Sequence, residues 1–260
     1  MVAMATTREG NICGGCAGVR ELGKAAAMTL DSVRAIFSTT MSITGVAVMQ
    51  WVEEGLIRLD DAAKKYAPQI AEIQGLDGFG SAGKPHTRPT KRDIDVADLV
   101  LHTDGFGCEF FSHDDLACGS ALAIPAVVSS SFASIRSVLL DEPGVRWNYG
   151  CNIDWLGRSV EQQRGKRLGK RLGQVFNERI FGRLAISDIS FTLNESMLER
   201  RATLRDRARD GRFTPLPELI LPQPPELDMG RHRLCASVGE HIKFIRMFLH
   251  GEFDPRVAKT

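Results

Sequence analysis

The chain has 260 residues, of which 43% are hydrophobic and 25% charged, and its net charge is +1. This is globular composition with no basic surplus, so a protein built around nucleic acid or an anionic membrane is not expected. The longest apolar run, ALAIPAVV at 121–128, is far too short for a membrane span, and the opening MVAMATTREG has no signal-peptide core, so a cytoplasmic location is expected.

Residues 8–20, REGNICGGCAGVR, read as a turn followed by a glycine-interrupted strand. Cys13 and Cys16 form a C-x-x-C pair there. A zinc ribbon needs a second pair at similar spacing, and a redox centre needs the pair to open a helix; neither condition is met. The six cysteines (13, 16, 108, 118, 151 and 235) are expected to be free thiols. A helix is predicted from Ser38 to about Glu54, with Ile43, Val46, Ala47 and Val52 at helical spacing and Gly55 as its stop. LIRLDDAAKKY reads as a short extended piece and then a helix capped by Asp60 or Asp61. Residues 75–92, rich in glycine and proline, read as a long surface loop.

DIDVADLVLHTDGF is a predicted short helix with Asp95 as its cap and Gly105 beyond its end. Pro125 opens a helix predicted to run to about Leu140, where DEPG at 141–144 breaks it. NIDWLGRSVEQQRG and LGKRLGQVFNERIF are helical in pattern, and the five prolines of PLPELILPQPP, 215–225, require an extended, polyproline-like stretch. SVGEHIKFIRMFLHG is a last amphipathic helix: Ser237 can cap it, and Val238, Ile242, Ile245 and Leu249 share a face. Strands are expected only in the N-terminal segment and near DISFTL, so helix dominates.

Chemistry concentrates in AIFSTTMSITGVAVMQWVEEG, 35–55. A serine at a helix N-terminus feels the positive end of the helix dipole and free N–H groups, which favour its alkoxide. A lysine three residues on would lie over the same face and could act as base, the logic of S-x-x-K. Here that residue is Met41, whose thioether takes up no proton. Ser38 taken alone reads as an N-cap serine on a core helix. Arg164, Lys166, Arg167, Lys170 and Arg171 read as a solvated helix face, with Phe176 the only aromatic nearby. The histidines at 86, 102, 113, 232, 241 and 250 show no ligand spacing, so neither a metal site nor a cofactor is indicated; His102 reads as a helix-end cap.

A second block, EPGVRWNYGCNIDWLG at 142–157, sets Tyr149 between a Pro-Gly turn and a helix. With IFSTTMSITGVAVMQWVEEGLIRLDD, ADLVLHTDGF, ERIFGRLAISDISF and GRHRLCASVGEHIKFIRMFLHG, it forms an ordered set over about 35–250. That set resembles the serine β-lactamase-like superfamily, in its esterase branch related to class C β-lactamases and penicillin-binding proteins. The resemblance implies an α+β, β-lactamase/transpeptidase-like fold: one domain over 1–260, helix-rich, with a mainly helical subdomain at about 58–180 and an incomplete antiparallel sheet. It implies Ser38 as nucleophile, Tyr149 as its acid–base partner, Met41 at the lysine position, and Trp147, Cys151 and Asn152 as substrate-binding residues.

The chain departs from the pattern at several points. Arg231 and Arg233 stand where the family has glycines, and Arg183 and Ala185 replace the proline and glycine of P-L-G-M. The chain reaches Thr260 before the family's third motif (K-T-G, H-x-G or W-G-G), so the C-terminal strands of the sheet are expected to be missing. The function implied is hydrolysis of small carboxylic esters through an acyl-serine, impaired in this copy. The alternatives are a non-catalytic remnant or binding protein of the same fold, and a β-lactamase or acyltransferase. Neither nucleic acid nor a membrane is an expected partner, while self-association through an exposed sheet edge is.

Overall fold

A computed structural model describes residues 1–162, 169–216, 221 and 223–250. The strands among them are β1 (Val2–Thr6), β2 (Asn11–Cys16), β3 (Arg34–Ala35), β4 (Gly75–Phe79), β5 (Pro85–Arg88), β6 (Ile189–Ser190), β7 (Arg205–Arg207), β8 (Phe213–Pro215) and β9 (Cys235–Ala236). The α-helices are α1 (Thr40–Glu53), α2 (Val96–Leu101), α3 (His113–Ala121), α4 (Asn152–Glu161), α5 (Leu172–Phe176), α6 (Glu195–Glu199) and α7 (Val238–Leu249). The described residues divide into two compact units: those within 1–37, 177–225 and 233–250 form the first, and those within 38–176 and 226–232 the second.

The first unit carries three small antiparallel sheets: β1–β2, β3–β9–β6 and β7–β8. Strand β9 is central in its sheet, and Cys235 packs with Val33, Leu193 and Met197 in a buried cluster. Helix α7 begins at Ser237 as expected, because its hydroxyl accepts the Glu240 amide. Arg246 ties α7 to the hairpin by donating to the Thr6 hydroxyl and the Asn11 side chain, at 3.0 and 2.5 Å. Ala185, at the family's glycine position, keeps a left-handed φ of 51°, a conformation that suits glycine better than alanine.

In the second unit α1, α2, α4 and α5 pack around Ile43, Ala47, Leu99, Trp155, Leu156 and Phe176, all fully buried. Of the predicted 38–54 helix, α1 takes Thr40–Glu53 and a 3-10 turn holds Ser38, and Asp95 caps α2 with Asp98 completing a capping box. Among the described residues no helix is long and apolar enough to cross a membrane.

Strands form outside the two expected places, at β3, β4, β5, β7, β8 and β9, and three further expectations fail, each because a tertiary or local contact outweighs composition. Residues 75–92 are not a loop: β4 and β5 pair with a bulge between Leu76 and Gly78, and Arg88 bonds Asp77 and Glu142. Residues 125–140 do not form a helix but two 3-10 turns, Val127–Ser129 and Ala133–Ile135. Ser130 between them has φ 55°, and the Ser134 hydroxyl bonds the Ser131 carbonyl at 2.7 Å; such local bonds compete with the helical ladder. The third concerns Asp61, which caps no helix. Its carboxylate accepts from Tyr66 OH (2.6 Å) and Lys65 Nζ, and only a 3-10 turn, Ala63–Lys65, follows. The predicted extended stretch 215–225 and the basic run at 164–171 fall partly outside the described residues, since 163–168, 217–220 and 222 lie beyond them.

Candidate active site

Ser38 lies in a 3-10 turn, Phe37–Thr39, that leads directly into α1. Phe37, just before it, has φ 44°, a left-handed conformation that costs a bulky residue on the order of 1–3 kcal/mol and recurs at functional positions. The serine is exposed. Helix α1 is held by a buried bond: the Thr44 hydroxyl donates to the Gly230 carbonyl at 2.7 Å. Position 230 tolerates only glycine in this arrangement, because a Cβ there would sit 2.7 Å from the Ile153 carbonyl oxygen.

Tyr149 arrives on the turn after Pro143-Gly144 and brings its hydroxyl to 2.7 Å from Ser38 Oγ. Several contacts fix that turn. The Asn148 amide donates to the His102 carbonyl (2.8 Å), and its side chain donates to Asp141 (2.7 Å). Gly150 lets the chain pass so close to Phe106 that a Cβ would lie 2.6 Å from the Phe106 carbonyl oxygen. Buried Arg231 donates to the Gly150 carbonyl (3.0 Å) and pairs with buried Asp154 (3.3 Å), while its own amide donates to Asp154 Oδ1 (2.9 Å). Around the ring, His102 stacks on Tyr149 (centroids 5.5 Å apart, planes 13° apart) and Phe111 meets it edge-on at 5.5 Å. Burial, reinforced by the nearby Arg231 charge, lowers the His102 pKa, so it stacks as a neutral imidazole.

Ser38 and Tyr149 line a cleft of about 830 Å³ together with Trp147, Phe111, Leu140 and Arg146. The structure thus brings Ser38, Tyr149 and Trp147 together, with Trp147 62% exposed on the wall. Met41 occupies the first turn of α1, half-buried.

Cys151 and Asn152 correct the sequence expectation, since neither lines the cleft. Cys151 is buried with its thiol toward the Ile135 carbonyl (3.4 Å), and Asn152 is fully buried, donating to the Leu99 carbonyl at 2.7 Å. They start α4 and anchor it instead of facing a ligand. His102 does cap α2, but through its left-handed backbone (φ 60°), its ring being used on Tyr149. Phe111 and Asp154 went unread in the sequence. Phe111 sits in an apolar pair with no periodicity, and Asp154 finds its partner 77 residues away. Among the described residues no three His, Cys, Asp or Glu side chains converge as metal ligands.

Asp104 stands where the family has serine or alanine, and it is fully buried. One oxygen accepts the Phe106 amide (2.8 Å) and the other has no hydrogen-bond partner. Burial pushes its pKa up to about 8. A folded-state value above the unfolded one means that stability is fully present below about pH 4 and is lost as pH rises toward 8. Asp104→Asn, which resembles the protonated acid, is therefore expected to match the parent in thermal melts near pH 4. It should exceed the parent by a margin that grows steadily as pH rises from 4 to 8.5. A stability difference independent of pH would remove Asp104 as the source.

Residues 1–252 match the family model described as Beta-lactamase. The acyltransferase mokF of Monascus pilosus is 32% identical over 204 residues, covering 72% of this chain and 45% of the relative. The lovastatin esterase of Penicillium rubens is 32% identical over 167 residues, covering 62% of this chain and 40% of the relative. A mutant simvastatin synthase from Aspergillus terreus superposes with a TM-score of 0.83 at 26% identity, covering 99% of this chain and 63% of that one. The chain thus spans about half the length of these curated relatives, and the fold it shares with the synthase is the mixed α+β, β-lactamase/transpeptidase-like one.

Proposed function

The chain belongs to the Beta-lactamase family, and on that premise we propose that it is a serine hydrolase that cleaves carboxylic esters through an acyl-Ser38 intermediate. The observation that supports this reading is the 2.7 Å contact between Ser38 Oγ and the Tyr149 hydroxyl in the wall of an open cleft. In the proposed sequence Tyr149, as the phenoxide that a base must be, takes the Ser38 proton as Oγ attacks the ester carbonyl. Collapse of the tetrahedral adduct expels the alcohol, which receives that proton back from Tyr149. Water, deprotonated by the same oxygen, then releases the acid and regenerates Ser38.

Met41 leaves this relay without its second base. A lost general base costs about 10²- to 10⁴-fold in rate, so this copy is proposed to be an impaired one. No cofactor enters the scheme, and its ligand is a small ester; nucleic acid and membrane play no part in it. A reducing, cytoplasmic setting suits six unpaired cysteines.

A second reading, acyl transfer, draws on the name of the Monascus relative and on the width of the cleft, in which an alcohol would replace water at the same acyl-Ser38. A non-catalytic binding protein is the reading that Met41 favours.

Intact-mass labelling with a fluorophosphonate separates these readings. One adduct per chain is expected, lost in Ser38→Ala at an unchanged melting temperature. In Tyr149→Phe it should form at least about 10²-fold more slowly. Folded protein that never labels would leave only the non-catalytic reading. Product analysis with an added alcohol then distinguishes ester from acid.

A further inference from the structure

The first unit contains a hollow that takes no part in the proposed ester chemistry, since none of its lining residues lines the Ser38 cleft. Leu22, Leu193, Leu204, Leu216 and Leu221 give it an apolar wall, and buried Cys235 of β9 adds a thiol. Backbone hydrogen bonds fix that wall. The Val33 amide donates to the Arg200 carbonyl (3.0 Å) and the Ala202 amide to the Val33 carbonyl (2.8 Å), so Arg201 is held between two bonded neighbours. The Leu216 amide donates to the Leu204 carbonyl at 3.1 Å, which carries the β7–β8 pairing one step further.

Among the described residues four side chains bearing nitrogen or oxygen line the hollow, and three of them are already engaged. Glu21 pairs with Lys24 at 2.9 Å. The Thr203 hydroxyl donates to the Arg20 carbonyl at 3.3 Å. Gln223 accepts the Leu193 amide at 3.1 Å and donates to the Phe191 carbonyl at 3.3 Å. The fourth is half-buried Arg201, whose guanidinium has no hydrogen-bond or ion-pair partner among the described residues. Its neighbour Arg200, by contrast, donates to Asp188 and to the Asp31 carbonyl, at 2.9 Å each. Burial pushes the Cys235 thiol up to about 11, and the charges of Arg233 and Arg201 pull the other way. The Arg201 charge therefore lies within range of a thiol that lines the hollow.

We propose that this hollow binds an aliphatic monocarboxylate of medium chain length, with its carboxylate on Arg201 and its chain along the leucine wall. A guanidinium presents a planar fork of donors that matches a carboxylate. An inorganic anion would satisfy Arg201 and leave the leucines wet. A neutral alcohol would cover the leucines and leave the guanidinium unpaired. The volume of about 260 Å³ holds roughly nine water-sized groups at ~30 Å³ each, close to the size of octanoate.

Calorimetric titration of the folded chain with octanoate, below the concentration at which it forms micelles, tests the proposal. One octanoate per chain is expected, and affinity should rise by up to about 4-fold per methylene from butanoate to octanoate. Acetate and octan-1-ol should each bind at least about 10-fold more weakly than octanoate. Arg201→Gln should weaken octanoate at least about 10-fold, and Arg201→Lys, which keeps a cation, by less. Octanoic acid carrying a terminal diazirine should, on irradiation, label Leu193, Leu204, Leu216 or Leu221 in peptide mapping. Labelling at Phe111 or Trp147 instead would put the acid in the ester cleft and overturn the proposal. So would octan-1-ol binding as tightly as octanoate, or an unchanged affinity in folded Arg201→Gln. If Arg201→Gln does not fold, the comparison of octanoate with octan-1-ol in the parent decides. None of these readouts uses turnover, so each holds whether or not Ser38 is acylated.

Discussion

Met41→Lys is expected to raise both short-chain ester hydrolysis and fluorophosphonate labelling of Ser38 by about 10²-fold. Position 41 lies three residues after the serine, in the first turn of α1, a spacing that lets two side chains on a helix reach one another. Methionine and lysine are both long and unbranched, so the exchange suits the existing space. The site is half-buried, which lowers an ammonium pKa toward the range useful for a base. The Ser38–Tyr149 contact is already formed, so the new amine joins an assembled pair. A folded variant with no gain would move the defect away from position 41. Equal and substantial rates in parent and variant, abolished by Ser38→Ala, would mean that Tyr149 suffices as base and that the protein is not impaired.

Arg231→Met should cost about 3–5 kcal/mol of stability, because it leaves the Asp154 carboxylate buried without its cation. For a chain of this size that corresponds to a fall of roughly 10 °C or more in Tm. The pH dependence identifies the cause. Burial raises the Asp154 pKa to about 6, with the Arg231 charge and amide pulling the other way. A folded value above the unfolded one gives stability that is present below about pH 4 and lost as pH rises through 6. Removing Arg231 raises the folded value further and lengthens that loss, so the deficit should grow between pH 5 and pH 8. Arg231→Met with Asp154→Leu should recover most of the stability, since an apolar pair replaces an ionic one at similar volume. The single variant should also label more slowly at Ser38, because the Gly150 carbonyl loses its clamp beside Tyr149. A melting temperature unchanged at pH 8 would show that the pair holds nothing.

Short-range features were legible in the sequence. Asp95 with Asp98, and Ser237 before α7, were readable as caps because a cap needs only residues three apart. Helix α1 followed from apolar spacing, and Ser38 and Tyr149 from ordered motifs that each carry local chemistry. Composition misled wherever local hydrogen bonds or strand pairing competed with it. The glycines of 75–92 bend a hairpin in which a bulge is tolerated, and the serines of 129–134 bond their own backbone in place of a helix.

The sequence by itself determined the family and put forward Ser38 and Tyr149, because each of these rests on a motif of residues close along the chain. Only the tertiary structure decided what each side chain faces. Cys151 and Asn152 sit beside Tyr149 in sequence, yet helix α4 turns them into the core, while Trp147, two residues before the tyrosine, faces the cleft. Arg231 looked like a departure from a glycine, but Gly230 supplies the close approach and Arg231 neutralises Asp154 77 residues away. A buried charge must find its partner wherever the fold brings one, and that distance along the chain carries no sequence signal.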